Sequence, residues 1–518
     1  MNYLGPPRKT CPARPGALSP GGYGRTGRLA TGLLAAGLLA AVVLLPSAAQ
    51  PPGPFRPALP APTPPPTTSP SPTPIPWDDI QVNEHEESYF CSNEALALAG
   101  EDVYVVYDSG SAWEGIWFSH SSDGGQTFLP STHIHPEGSK AAIARREGAG
   151  PEEEDLYVTF YKGYRVYFTR SPDEGATWLA PLVVYDGAPE EAWVGHPKIA
   201  VDAGGTIYLT WRKDSGGYHS FYLSRSGDGG GSWSAPSPIT PEPYVVGNWT
   251  LSSSLQAAGG VLYFAWNGTR VSTWEREVMF THSSDGGESW SGPARVDDDE
   301  YPARDVDIAL GADGTIYAAW GDRRLFGSGH DLTYVNHSSD GGQSWSPGVR
   351  VDDAGDCVKA SLSGAITVDD TTSSLHVALS DGRNYCHETY YLGWTDIFYT
   401  YSTDGGSSWS ENEQISNPVF HNYAGDASIQ TRAGRVYTTF NGKVSEVDGR
   451  AFMWLDIHDP GLPPVTASPA PSPTASPTPG ASPTSTGTVS PPASATPTPT
   501  TPQEWKVGLP LVGRGGTR

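Results

Sequence analysis

Cysteine is scarce in this chain: 518 residues hold four. No Cys-x-x-Cys or His-x-x-x-His pair occurs, so the usual zinc-binding spacings are excluded. Positive charge is also short, with 32 Lys and Arg against 57 Asp and Glu, a net charge of −25. Five of those positive residues, Arg8, Lys9, Arg14, Arg25 and Arg28, sit in the first 28 positions. The remainder is more acidic still, which argues against nucleic acid and anionic membrane surfaces as partners. Long apolar runs are lacking too. The one candidate, Leu29 to Leu45, has 17 residues and is short for a membrane span.

That run follows a basic leader and precedes Ser47-Ala48-Ala49, so residues 1–49 read as a signal peptide cleaved on export. A retained anchor is the alternative. No Cys follows the run, which disfavours a lipoprotein anchor. Residues 50–76 and 461–503 are dominated by Pro, Thr, Ser and Ala and are expected to be extended spacers. Residues 504–518 form a short tail around Trp505 and Val512, apolar again, which is a candidate for cell-surface attachment or an unstructured end. The expected location is secreted or cell-surface associated.

Between the spacers, one motif occurs six times: Ser-x-Asp-x-Gly-x-Ser/Thr-Trp/Phe. Its aspartates are Asp123, Asp173, Asp228, Asp285, Asp340 and Asp404, spaced by 50, 55, 57, 55 and 64 residues. Such a period, with an aromatic in each unit, signals a propeller or array. Asp and Ser side chains accept hydrogen bonds from amides one or two residues on, and Gly supplies a positive φ. The closing Trp or Phe buries a large apolar area between units. The boxes therefore read as scaffold rather than catalytic groups.

Two strand-like runs precede the boxes, as in Leu156–Tyr161 with Arg165–Thr169, and Thr315–Trp320 with Leu332–Asn336. The pair returns without a box at Val436–Phe440 and Ala451–Ile457. The count is seven four-stranded units in an all-β propeller, with six blades as the alternative. The last unit lacks an outer strand. Ile80-Gln81-Val82-Asn83 matches outer strands such as Arg295-Val296-Asp297, so residues 78–83 are expected to close the ring and remove exposed edges.

The motif resembles the Asp-box, or BNR repeat, of the sialidase-like β-propellers, and the resemblance covers residues 77 to 460. It implies recognition of glycans or glycoproteins and sialidase-type, exo-acting hydrolysis of terminal sugars. A non-catalytic glycan- or protein-binding module is the alternative, because one fold hosts many activities. A sialidase needs three arginines to clamp a carboxylate, a Tyr nucleophile and carboxylate partners. The family's Arg-Ile-Pro motif is absent, and no Arg lies between Trp77 and Ala144. Arg304, Arg323, Arg324 and Arg383 are the candidate clamp, and Tyr423 the candidate nucleophile.

Each box joins the third strand to the fourth, so ligands are expected on the opposite face. The loops there offer Asp108, Trp113 and Glu114; Trp193 and His196; Arg212, Lys213 and Asp214; Trp249 and Trp274; and Tyr385. Trp113, Glu114, Trp193, Trp249, Trp274 and Tyr385 are the candidate substrate-binding residues. Asp322-Arg323 and Asp381-x-Arg383 recur after a middle strand, which favours a repeated loop-stabilising ion pair over catalysis. His85, His133, His135 and His196 read as ordinary loop residues. The run Asp297–Glu300 offers oxygen ligands for a structural Ca²⁺ but lacks EF-hand spacing, so a solvated loop is favoured. No other metal or cofactor is expected. Cys357 and Cys386 fall in loops of one face and are a candidate disulfide, while Cys91 reads as a buried thiol. Asn248, Asn267 and Asn336 begin glycosylation sequons. A monomer is expected.

Overall fold

The computed structural model describes residues 79–83, 91–109, 115–146, 155–190, 192–241, 244–245, 252–270, 275–299, 302–322, 324, 332–354, 361–385, 395–417, 424–443 and 451–461. The leader, the Pro-rich segment before residue 77 and the chain after residue 461 lie outside them. So do Cys357 and Cys386, the proposed disulfide.

Seven antiparallel sheets form seven blades. The pattern is clearest in blade three: inner strand Trp193–Val201, second strand Ile207–Ser215, third strand Tyr218–Ser226 and outer strand Ser237–Pro238. In each second strand a large residue is buried at the same register: Tyr107, Phe160, Trp211, Trp266, Trp320, Leu379 and Phe440. Apolar side chains pack between consecutive blades. Leu223 and Phe221 of blade three, for example, share a core with Leu262, Phe264 and Trp266 of blade four. These interfaces replace a single central core and leave the middle of the ring as a channel.

The boxes clip the blades as the motif implies, with a longer reach than expected. In the first box the Ser121 hydroxyl accepts from the Gly125 amide at 2.9 Å, and Asp123 accepts from the Thr127 amide at 2.9 Å and its hydroxyl at 2.6 Å. These partners are four residues on, and the Asp123 amide, two residues on, also donates to the Ser121 hydroxyl at 3.4 Å. The Gly at the fifth position of the box has a further role. Gly175 has φ +89, and a Cβ there would lie 2.0 Å from Phe118 of the preceding blade. Trp178 of that box meets the same Phe118 edge-on at 5.1 Å. The motif is thus a turn and an interblade contact at once.

Residues 80–81 supply the outer strand of blade seven, with Ile80 opposite Leu455 and Gln81 opposite Trp454. The Val82 amide donates to the Met453 carbonyl at 2.9 Å, and the Asn83 side chain accepts from the Met453 amide at 2.8 Å. Val296-Asp297 makes the same two bonds to Val278, at 2.8 and 2.6 Å. The likeness between these two sequence segments is therefore a shared hydrogen-bond pattern, and the ring has seven blades. Asn267 and Asn336 are buried in strands, which removes both sequons as modification sites.

Candidate functional site

Toward the face opposite the boxes, the chain places one residue directly after each buried landmark of the second strand, and of these only Tyr161 and Arg212 are partly exposed. Around the ring these are Asp108, Tyr161, Arg212, Asn267, Gly321, Ser380 and Asn441. The three ionisable members are consecutive, in blades one to three. The inner strands of blades two and three add to this sector through β-bulges at Lys140 and His196, which have φ of 53° and 49°. A left-handed backbone at a non-glycine residue costs on the order of 1–3 kcal/mol, and a bulge re-aims the side chain it carries. A third such bulge, at Asp305 with φ 50°, lies in blade five.

The fields of these groups overlap. Burial pushes His196 well below 6.5, and the positive charges of Arg212, Lys140 and Lys198 push the same way. Burial raises the Tyr161 phenol, as does the charge of Asp108, while Lys140 and Arg212 oppose them. Burial also raises Asp214 against the pull of Arg212, which it meets at 2.7 Å. Lys140, Tyr161, His196, Lys198, Arg212 and Asp214 remain partly exposed. A Cβ added to Gly195 would lie 3.8 Å from Arg212 Nη2 and 3.9 Å from Tyr161 Cζ, so guanidinium and phenol border the same bare stretch of strand. This sector can attract an anion through three cations, and a neutral imidazole and a phenol can exchange protons with it.

The sequence-based candidates are distributed differently. Arg304 is buried at the start of the blade-five inner strand, opposite Gly321. Arg383 pairs with Asp381 at 2.6 Å and with Asp353, donates to Asn412 at 2.8 Å and lies 4.0 Å over the Phe398 ring. It staples blade six to the outer strand of blade five. In blade five Arg324 pairs with Asp322 at 2.7 Å, two residues on, as Arg383 is from Asp381; Arg323 lies outside the described residues. Arg324 also reaches Asp298 at 2.6 Å and Asp299 at 2.9 Å, while Arg295 holds Asp297 at 2.6 Å. Asp297, Asp298 and Asp299 are therefore members of an ion-pair network rather than of a solvated loop; Glu300 lies outside the described residues.

Tyr385 donates to Asp396 at 3.3 Å. Trp193 is 55 % exposed and lies 4.7 Å from Tyr164. Trp113, Glu114, Trp249, Trp274 and Tyr423 fall outside the described residues. Sequence reasoning missed Lys140, Tyr161 and Lys198, and took His196 for a loop residue when it stands in a strand bulge. The signal for Tyr161 was its place directly after Phe160, the buried landmark.

Residues 244–461 match the family profile described as a BNR repeat-like domain. No curated protein matches the chain. Among solved structures, a protein of unknown function from Dyadobacter fermentans is similar at 16 % identity and TM-score 0.43, covering 73 % of this chain and 98 % of its own. An ulvan lyase is similar at 13 % identity and TM-score 0.47, covering 73 % and 94 %. A Hadza microbial sialidase is similar at 15 % identity and TM-score 0.42, covering 69 % and 74 %. With seven four-stranded blades and six Asp-box motifs, the chain is a seven-bladed β-propeller whose residues 244–461 match a BNR repeat-like domain.

Proposed function

We propose that this is an exported propeller that recognises acidic glycans at the channel end of blades one to three. One observation carries the reading. In a chain of net charge −25, three cations, Lys140, Lys198 and Arg212, gather with His196 and Tyr161 in one partly exposed sector. Asp214, 2.7 Å from Arg212, and the charge of Asp108 offset part of this positive charge, and the carboxylate of a ligand would offset the rest. The carboxylate of an acidic sugar suits the fork of Arg212, and aromatic rings beside it suit the faces of the sugar. The leader and the Pro/Thr/Ser-rich segments support export and display on a stalk.

Hydrolysis is the finer part of the proposal. His196, held neutral, is a base candidate, and Tyr161 is the proton donor or nucleophile candidate in place of Tyr423. The second reading is a non-catalytic binding module. Its support is that Arg324 and Arg383, candidates for a sialidase clamp, are held in ion pairs, and that Arg212 itself meets Asp214 at 2.7 Å.

The test is a binding panel of sialylated, uronate-bearing and neutral oligosaccharides, with a fluorogenic sialoside to detect turnover. Arg212→Ala and Lys140→Ala should weaken acidic ligands tenfold or more and leave neutral ones unchanged. Equal binding of acidic and neutral sugars, indifferent to both substitutions, would sink the reading. Binding without turnover would leave the module and remove the enzyme.

A further inference from the structure

Among the described residues, the most exposed large aromatic near the cationic sector is Trp193, which the acidic-glycan reading leaves unused. Trp193 begins the inner strand of blade three and is 55 % exposed. Its indole is held at 4.7 Å by Tyr164, in the turn joining Leu156–Lys162 to Arg165–Ser171 of blade two. Register places it beside the cationic sector. Trp193 lies opposite Asp214, and Gly195 lies opposite Arg212. Residues two apart on a strand share a face, roughly 6–7 Å apart. Trp193 and Asp214 therefore form the outer row, and Gly195 and Arg212 the inner row, of one face of blade three. Blade two lines both rows, with Tyr164 at the outer one and Tyr161 at the inner one.

We propose that the ligand is a chain of sugars rather than a single terminal residue. It would run along the crevice between blades two and three, with its acidic unit at Arg212 and Tyr161 and the next unit stacked on Trp193. Resting on the acidic-glycan reading, this inference adds a second subsite and a direction of travel. Two features favour an oligosaccharide over a lone sugar. The exposed indole is continuous with the charged row, at a spacing that suits neighbouring units of one ligand. It is also the kind of rigid, amphipathic ring that stacks on a sugar face at low entropic cost. Gly195 has a specificity role here. Its φ is ordinary, so the backbone does not require glycine; a Cβ there would only touch Arg212 and Tyr161, whereas a branched side chain would reach between them.

The experiment measures the affinity of the full chain for galacturonate oligomers of increasing length and for sialic acid against sialyllactose. The variants are Trp193→Ala and Gly195→Val. Affinity should rise from the single acidic sugar to the oligomer. Trp193→Ala should remove that gain, on the order of tenfold, and spare binding of the single sugar. Gly195→Val should weaken both by parting Tyr161 and Arg212. Binding that is acidic-specific but indifferent to length and to Trp193→Ala overturns the second subsite and keeps the first. No binding of any acidic probe overturns both.

Discussion

The Ser254 hydroxyl donates to the Asp307 carboxylate at 2.8 Å, and the same carboxylate accepts from the Ile366 amide at 3.0 Å. One side chain thus ties blades four, five and six together around the channel. Burial raises its pKa, against the nearby charge of Lys198. Asp307→Ala would strand the Ile366 amide, and we expect a loss of about 2–3 kcal/mol. Asp307→Asn keeps an acceptor and should cost less. Denaturant melts of the two variants check this; equal melts would show that the carboxylate joins nothing of consequence.

Arg324 and Arg383 should behave as staples. Each is mostly buried, ion-paired and stacked on a ring, Arg324 at 3.7 Å over Tyr334 and Arg383 at 4.0 Å over Phe398. Arg324→Ala and Arg383→Ala should each cost about 2–4 kcal/mol of stability, because the buried partner carboxylates lose their counter-charge. Glycan binding should survive. Lost binding at unchanged melting temperature would return Arg383 to the ligand.

The Gly at the fifth position of a box tests the interblade role of the motif. Gly342 has φ +86, and a Cβ there would meet the Phe280 ring at 2.0 Å. Gly342→Ala should cost about 3 kcal/mol or more through overpacking and left-handed strain together. Gly259 separates the two effects. It has φ +58 with open space around it, so Gly259→Ala should cost only about 1 kcal/mol. Similar costs for the two would mean that the aromatic wall yields.

Acid should unfold the protein through two windows. Burial holds His376 at about 4, below its ordinary 6.5, between the hydroxyls of Tyr399 at 2.6 Å and Ser374 at 2.7 Å. The unfolded chain binds that proton first. Stability is therefore full above pH 6.5 and falls by about 3 kcal/mol by pH 4. Asp297, pushed up to about 6 by burial, acts in the opposite sense between its ordinary value and pH 6, so stability from this group falls as pH rises. The clean measurement is wild type against His376→Gln, which should lose the upper window. Below pH 4 the box aspartates act. Asp123, Asp228 and Asp285 are held at about 2 by Thr or Ser hydroxyls, and what they contribute disappears as pH falls to that value. A His376→Gln curve parallel to wild type between pH 6.5 and 4 would contradict the assignment.

The scaffold was readable because its rules are local. A box spans eight residues, its bonds stay within the turn, and each strand pair alternates beside it. Even the closing strand was visible, because Val82-Asn83 must make the bonds that Val296-Asp297 makes. The site was much less readable. Tyr161, Lys140 and His196 come together through the register of two blades and the bulges that turn their side chains, and no short motif encodes a bulge. Arginines stand out in sequence as candidate ligands of a carboxylate. Arg383 and Arg324 instead met internal carboxylates that lie about 30 residues away or fewer, and only the packing of adjacent blades reveals those partners.

The seam at blade seven has a mechanical meaning. Its outer strand comes from the start of the domain and its third strand from the end, paired antiparallel with Ile80 against Leu455 and Gln81 against Trp454. The chain enters and leaves at the same end of that pair. Tension applied across residues 79 and 461 would peel these bonds one at a time, not load them together in shear. A propeller tethered at both ends would open first at this seam, under a modest pull, with its other six blades still zipped.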